Sequence, residues 1–348
     1  MFPLLPVLDI IPPFISPYDS ILIFILATLL GINLLFWKNW TNLLAISILC
    51  VLFVQDQNRW QPWAYIYFIF LIFFSFYKET AENRNYLAIS FRLMIIGVYL
   101  WSGVHKLNTN FINQTFESIL IDFFDFQDKH FIDTIKDVGY LIPIFEVSIC
   151  VFLFIPKLRN IGVSMAIIAH IFILLYLSPL GINKNYVVFP WNIAMTFFVV
   201  ILFYQTSEKI DIFKFGEHKL GTILIAFLFY IFPFLNIFGL WDNYLSFSLY
   251  SSKTDNYYIV IAESQLNKVD ERLAQYYLRV DGLQGGQIID VGKWSTKELN
   301  VPFYPETRTF KKVAKTFCRL GIEEGQLYFL ELNAQEKGKY LRYICEDL

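Results

Sequence analysis

Charge is what this sequence has least of. Asp, Glu, Lys and Arg supply 17% of its 348 residues, against about a quarter in soluble domains. The basic residues do not cluster, which excludes the electrostatic footprint of a nucleic-acid binder, and the net charge of −2 names no partner. No GxSxG elbow, Walker loop or dinucleotide glycine fingerprint occurs, so the common hydrolase, nucleotide and Rossmann signatures are missing. CxxC and HExxH are missing too, and the four histidines (105, 130, 170 and 218) are scattered. That spacing excludes paired haem ligands along one helix, and no metal site is expected. Internal repeats and paired glycine-broken segments are absent, which argues against an inverted-repeat transporter. Residues 1–18 hold several prolines and no basic residue. They read as an irregular interfacial segment rather than a signal peptide.

What is present is apolar. Hydrophobic residues make up 56% of the chain and aromatic ones 19%, with 37 phenylalanines and a mean hydropathy of +0.48. Long apolar blocks run to about Leu240, after which the sequence turns polar and mixed. The expected fold is an all-α polytopic membrane bundle over 19–240, followed by a small soluble α+β domain over 241–348. Since a spanning helix needs about 20 mostly apolar residues, about eight spans are expected. They lie at 19–37, 40–55, 60–77, 86–106, 139–155, 161–178, 185–204 and 219–239, the second and fifth being short. Trp37, Trp40, Trp60, Trp63 and Trp241 fall at the ends of these blocks, where indole rings favour the headgroup layer.

Lys and Arg in short loops set orientation. Lys38, Lys78, Arg84, Lys157, Arg159, Lys209, Lys214 and Lys219 lie on one side. Arg59, Lys106, Lys129, Lys136 and Lys184 lie on the other, over longer loops. The first side is expected to be cytoplasmic, so both termini face outward, as in a bacterial inner-membrane protein with an extracytoplasmic tail. In the tail, 245–250 and 257–261 read as strands, 263–276 and 306–319 as helices, and 327–332 with 340–345 as a closing hairpin across 333–339. Cys318 and Cys345 lie in that tail, where an oxidising compartment would let them pair. Cys50 and Cys150 sit within spans as apolar fillers.

Ionisable groups inside spans are costly and therefore candidates for function. Arg92, Tyr99 and Lys106 are spaced seven apart, nearly two turns, and so share one helix stripe with Gly103, which allows close approach. Arg92 and Lys106 are separated by roughly 21 Å along the helix and cannot share a small site. Arg92 either snorkels to the cytoplasmic interface or holds a lipid or quinone headgroup. Lys106, next to His105, either snorkels to the outer interface or acts as a base in an apolar pocket. Glu146, His170 and Asn192 also fall in the outer half of the bundle, where they either tie helices together or join Lys106 in a site.

The stretch Val98-Tyr99-Leu100-Trp101-Ser102-Gly103-Val104-His105-Lys106-Leu107-Asn108 resembles the V-Y-x-x-x-G-x-x-K-L-[DN] pattern of the vitamin K-dependent γ-carboxylase family, whose membrane region is the horizontally transferred transmembrane (HTTM) domain. The resemblance is tight over these residues and loose over 85–205. It implies base chemistry at Lys106, with His105 beside it, on a lipid-soluble quinol. Leu141-Ile-Pro143-Ile-Phe-Glu146 and the following Pro156-Lys157-Leu158-Arg159 resemble the P-x-x-E pattern of DoxX and MauE membrane proteins, which implies a quinone-linked or thiol-redox accessory role. The leading expectation is a membrane subunit or anchor whose periplasmic tail, 241–348, binds a partner. The alternatives are a carboxylase-like membrane enzyme using a quinol-like cofactor, or a DoxX-like accessory protein. Of cofactors, a quinone or another lipid is the class implied. The expected partners are the bilayer itself and a periplasmic or membrane protein.

Overall fold

The computed structural model describes residues 1–348 except 15–16, 77, 184, 211–218, 279–284, 335 and 337–338, and the side chain of Lys219. Lys184 and Lys214, used above for orientation, and part of the 333–339 turn therefore lie outside the described residues. The chain gathers into two compact units. One comprises Ser20–Cys50 and Gln61–Lys253, the other Met1–Asp19, Val51–Trp60 and Thr254–Leu348.

Among the described residues the helical part contains six helices long and apolar enough to cross a membrane: Tyr18–Leu35, Ala81–Lys106, Lys129–Phe154, Pro156–Leu177, Tyr186–Phe203 and Leu220–Phe238. These helices agree with the multi-pass character expected from composition, and six of the eight expected spans reach spanning length. The regions expected as second and third spans form α2 (Asn39–Gln55) and α3 (Pro62–Ser75), which are apolar but shorter. Pro62 starts α3 where its missing N–H costs nothing, and Asp56 caps a short turn just after α2 by accepting from Asn58 N. Pro62 and the Asp56-capped turn mark where α3 begins and α2 has ended.

Helix α4 (Ala81–Lys106) is the most enclosed of the long helices. It starts five residues earlier than hydropathy suggests because Thr80 caps it, accepting from Asn83 N. His105 and Lys106 fall in its last turn, where positive charge suits the helix dipole. Around α4 pack α7 (Leu141–Phe154), α9 (Phe189–Phe203) and α10 (Lys219–Ala226), the last continuing through a π-helical segment at Phe227–Ile231, while α8 (Arg159–Leu177) packs on α7 and α9. Two glycines of α4 set the packing distances. A Cβ on Gly97 would lie 2.8 Å from Phe229 O, and one on Gly103 would lie 2.9 Å from Pro143 O and 2.7 Å from Val147 Cγ2. Only a glycine lets the neighbouring backbones come that close.

The second unit is built on one antiparallel sheet in the order β2-β3-β1-β4-β5. Its strands are β1 (Asn256–Ala262), β2 (Tyr277–Leu278), β3 (Gly286–Asp290), β4 (Leu327–Leu332) and β5 (Tyr340–Tyr343). Central β1 pairs Ile259 with Ile289 on one side and with Phe329 on the other. Tyr257, Ile259 and Ile261 alternate onto one face, where they meet Trp294 of α12 (Val291–Leu299) and Phe310, Val313 and Phe317 of α13 (Thr307–Cys318). Cys318 and Cys345 form a disulfide.

Several local expectations for the tail change. Residues 245–250 are not a strand. They form a short 3-10 turn at Tyr244–Ser246, after which Phe247 and Tyr250 take left-handed backbone angles. The helix expected over 263–276 is two 3-10 turns, restarted where the Asp270 side chain accepts from Arg272 N. β3 and α12 were not anticipated, and they join where Asp290 caps the helix by accepting from Lys293 N. The domain limits differ as well. Residues 241–253 group with the helices, and Met1–Asp19 groups with the sheet. Phe2 and Leu5 are buried in the sheet domain's core, with the Phe2 ring 4.6 Å from Trp294 and 6.1 Å from Phe303. Asn58 Oδ1 accepts from Tyr304 N at 2.9 Å. A small domain gains proportionally more from each apolar side chain it recruits, so the residues expected at an interface fill a core instead.

Candidate functional site

Four helices place polar side chains around one small cavity of about 80 Å³. Helix α4 contributes Tyr99, Ser102 and Lys106, α7 contributes Glu146, α8 contributes His170, and α9 contributes Asn192 and Trp191. Phe247 and Tyr250 close one wall. That volume is enough for several waters or a small polar group.

Lys106 points inward and is buried. Its Nζ donates to Glu146 Oε1 at 2.8 Å and Oε2 at 2.7 Å, and to Ser102 Oγ at 2.8 Å. An ammonium has three hydrogens, so all three are engaged and the contact set is that of Lys-NH₃⁺ held by a carboxylate. Ser102 is one helical turn before Lys106 and so lies under the amine. Gly103 makes the pair geometrically accessible, because it brings the α7 backbone within van der Waals reach and Glu146 with it.

On the opposite wall a second chain runs through His170. Asn192 Nδ2 donates to Val188 O at 2.8 Å, which turns Asn192 Oδ1 toward His170 Nδ1 at 2.9 Å. A carbonyl oxygen only accepts, so the hydrogen-bond set places a proton on Nδ1. In the neutral ring Nε2 is then an acceptor, and Tyr99 Oη donates to it at 2.7 Å. The Tyr99 oxygen and the Glu146 carboxylate are left as hydrogen-bond acceptors beside the cavity.

Of the residues singled out in the sequence, Tyr99, Lys106, Glu146, His170 and Asn192 converge here. His105 does not line the cavity. It is buried and stacks on Trp101, with ring centroids 5.6 Å apart. Arg92 lies at the other end of α4, where its Nε donates to Leu202 O at 2.6 Å. Sequence reasoning missed Ser102, although its i, i+4 spacing from Lys106 was a usable signal. It could not have found Tyr250, which reaches the wall from beyond the last span through an irregular turn. Among the described residues no cluster of three or more His, Cys, Asp or Glu could hold a metal ion.

No family model, no curated protein and no solved structure matches this chain. The site's chemistry therefore rests on its own geometry.

Proposed function

We propose that this is a multi-pass membrane protein whose bundle binds the polar head of a small lipid-soluble molecule, a quinone or another lipid, in the Lys106–Glu146–His170 cavity. The observation that carries this reading is the convergence of Tyr99, Lys106, Glu146, His170 and Asn192, from four helices, on one cavity. Ionisable side chains inside a membrane bundle are expensive to keep, and their gathering around a space marks a ligand or proton site. The resemblance to carboxylase-like HTTM proteins supplies the ligand class. It does not by itself make Lys106 a base, because an ammonium accepts no proton until it has first given one up, here to the Glu146 carboxylate it is bonded to. The Cys318–Cys345 disulfide supports an oxidising, extracytoplasmic location for the sheet domain, and a cell membrane of bacterial type is the matching setting. The test is retention of ligand. Protein purified in mild detergent and extracted with solvent should yield a stoichiometric quinone or related lipid, lost in His170→Ala. Absence of any such molecule, with no binding of an added short-chain quinone or quinol, overturns the reading.

A second reading is favoured by the sheet domain itself. It has its own core and disulfide, and Tyr340 and Leu341 stand exposed on edge strand β5. A membrane anchor that presents this domain to a protein partner accounts for those features. Crosslinking from a photoreactive residue at 341 should then trap one discrete partner in cells.

A further inference from the structure

Two arginines are buried together at the far end of the bundle, away from the cavity. Arg159 is the largest side chain that is fully enclosed, at 1% exposure, and Arg92 is 5% exposed. Arg159 Nε donates to Leu153 O at 3.0 Å, and its Nη1 donates to Glu208 O at 2.6 Å and, at 3.3 Å, to Thr206 O and Thr206 Oγ1. All of these acceptors are neutral. Its Nη2 is buried without a hydrogen-bond partner among the described residues. Arg92 donates from Nε to Leu202 O, and its Nη1 stands 3.4 Å from Glu208 Oε2. That is long for a charge-assisted contact, which settles at about 2.7–2.9 Å.

The charge count does not close. Two guanidiniums converge on residues 202–208, and among the described residues the single carboxylate in ion-pair contact with them is Glu208, whose side chain is 66% exposed. A buried cation without a counter-charge is costly, and an open guanidinium N–H is a donor awaiting an acceptor. Two guanidiniums form the donor set that matches a phosphate, which takes several parallel N–H bonds. The basic residues of this end, Lys157 and Lys209 among them, are those that mark the predicted cytoplasmic leaflet. Basic pockets between helices at that level suit anionic headgroups.

We infer that Arg92 and Arg159 form a binding site for a phosphate-bearing anion, supplied by an anionic phospholipid headgroup or by free phosphate, and that Glu208 holds the site in its absence. Glu208 then competes with the ligand for Arg92. This site does not depend on the cavity reading above, since it uses none of the same side chains.

The experiment uses delipidated full-length protein in detergent. It is titrated with phosphatidylglycerol, with phosphatidylcholine of the same chains and with inorganic phosphate, read by native mass spectrometry and thermal shift. Phosphatidylglycerol should bind more tightly than phosphatidylcholine, and Arg92→Gln should weaken it about fivefold or more. Because Arg159→Gln risks misfolding, Glu208→Gln provides the second arm. It changes an exposed residue and should tighten binding by removing the competing carboxylate. Lys129→Gln, at an exposed lysine that the loop count places on the other side, should change little. Saturable stabilisation by inorganic phosphate alone, with the same responses to Arg92→Gln and Glu208→Gln, identifies free phosphate as the source. Equal binding of the two lipids with no effect of phosphate, or indifference to Glu208→Gln, overturns the proposal.

Discussion

At the scale of single residues, the Lys106–Glu146 pair is the sharpest feature of the bundle. Both partners are largely enclosed, at 8% and 13% side-chain exposure, so burial strips water from both charges and each is tolerated only because the other pairs with it. Lys106→Met leaves a buried carboxylate unpaired, and such changes cost about 3–5 kcal/mol. Lys106→Met combined with Glu146→Leu removes both charges and should recover most of that loss in a detergent melt. If the double variant is no more stable than the single one, the pair is not coupled. A second residue-scale prediction concerns Asp255 in the sheet domain. Burial raises its pKa, assisted by the neighbouring Glu331 carboxylate and opposed by Ala334 N–H. An acid with a raised folded pKa gives the fold stability that is complete below its unfolded value of about 3.9 and lost as pH rises through the folded one. Hydrogen-exchange protection of β1 and β4, corrected for intrinsic rate, should therefore fall as pH rises from about 4. Asp255→Asn should flatten that slope.

At the scale of elements, the α4–α7 contact positions the site. Gly103 presses on the backbone of α7 at Pro143 O, an atom that cannot swing away as a side-chain tip can. Gly103→Ala should separate the helices, weaken the Lys106–Glu146 pair and cost about 1–3 kcal/mol. A melt unchanged from the parent protein would show that the two backbones part freely. In the sheet domain, the disulfide closes a loop with a sequence separation of 27 from α13 to the chain's last turn. Cys318→Ser should lower that domain's unfolding free energy by about 2–4 kcal/mol, with reductant producing the same shift in the parent and none in the variant.

At the scale of the molecule, the composition of the sheet unit constrains the crossing count. Met1–Asp19, Val51–Trp60 and Thr254–Leu348 fold together, and members of one folded unit lie on one side of a membrane. If that unit lies on one side of a membrane, the chain crosses an even number of times between 19 and 51, and again between 60 and 254. The first stretch holds one long helix and the second five, so this condition is met only if the shorter α2 and α3 cross as well, which labelling can check. Bilayer thinning or interfacial flanks accommodate such short spans. In a Cys50→Ser background, Asp9→Cys and Arg272→Cys should react with an impermeant maleimide from the same side, and Lys78→Cys from the opposite one. Asp9 and Arg272 reacting from opposite sides would break the argument.

The existence and type of the bundle were legible because hydropathy is a property of consecutive residues, and a bilayer of fixed thickness reads it in blocks of about 20. The same holds for the polar tail and for the stripe of Tyr99, Gly103 and Lys106, which helical repeat alone places on one face. What tertiary structure decided depends on residues far apart in the chain. Lys106 meets Glu146 forty residues on, and His170 receives its orientation from Asn192 on the next helix. Arg159, which reads as a loop cation, is buried because Leu153 O of α7 and, beyond the end of α9, Thr206 O and Glu208 O accept its hydrogen bonds. Phe2 and Leu5, which read as interfacial, complete a core formed some 250 residues later. In each case the sequence supplied a group with a bonding or burial requirement, and only the packing of distant helices and strands determined which neighbour satisfied it.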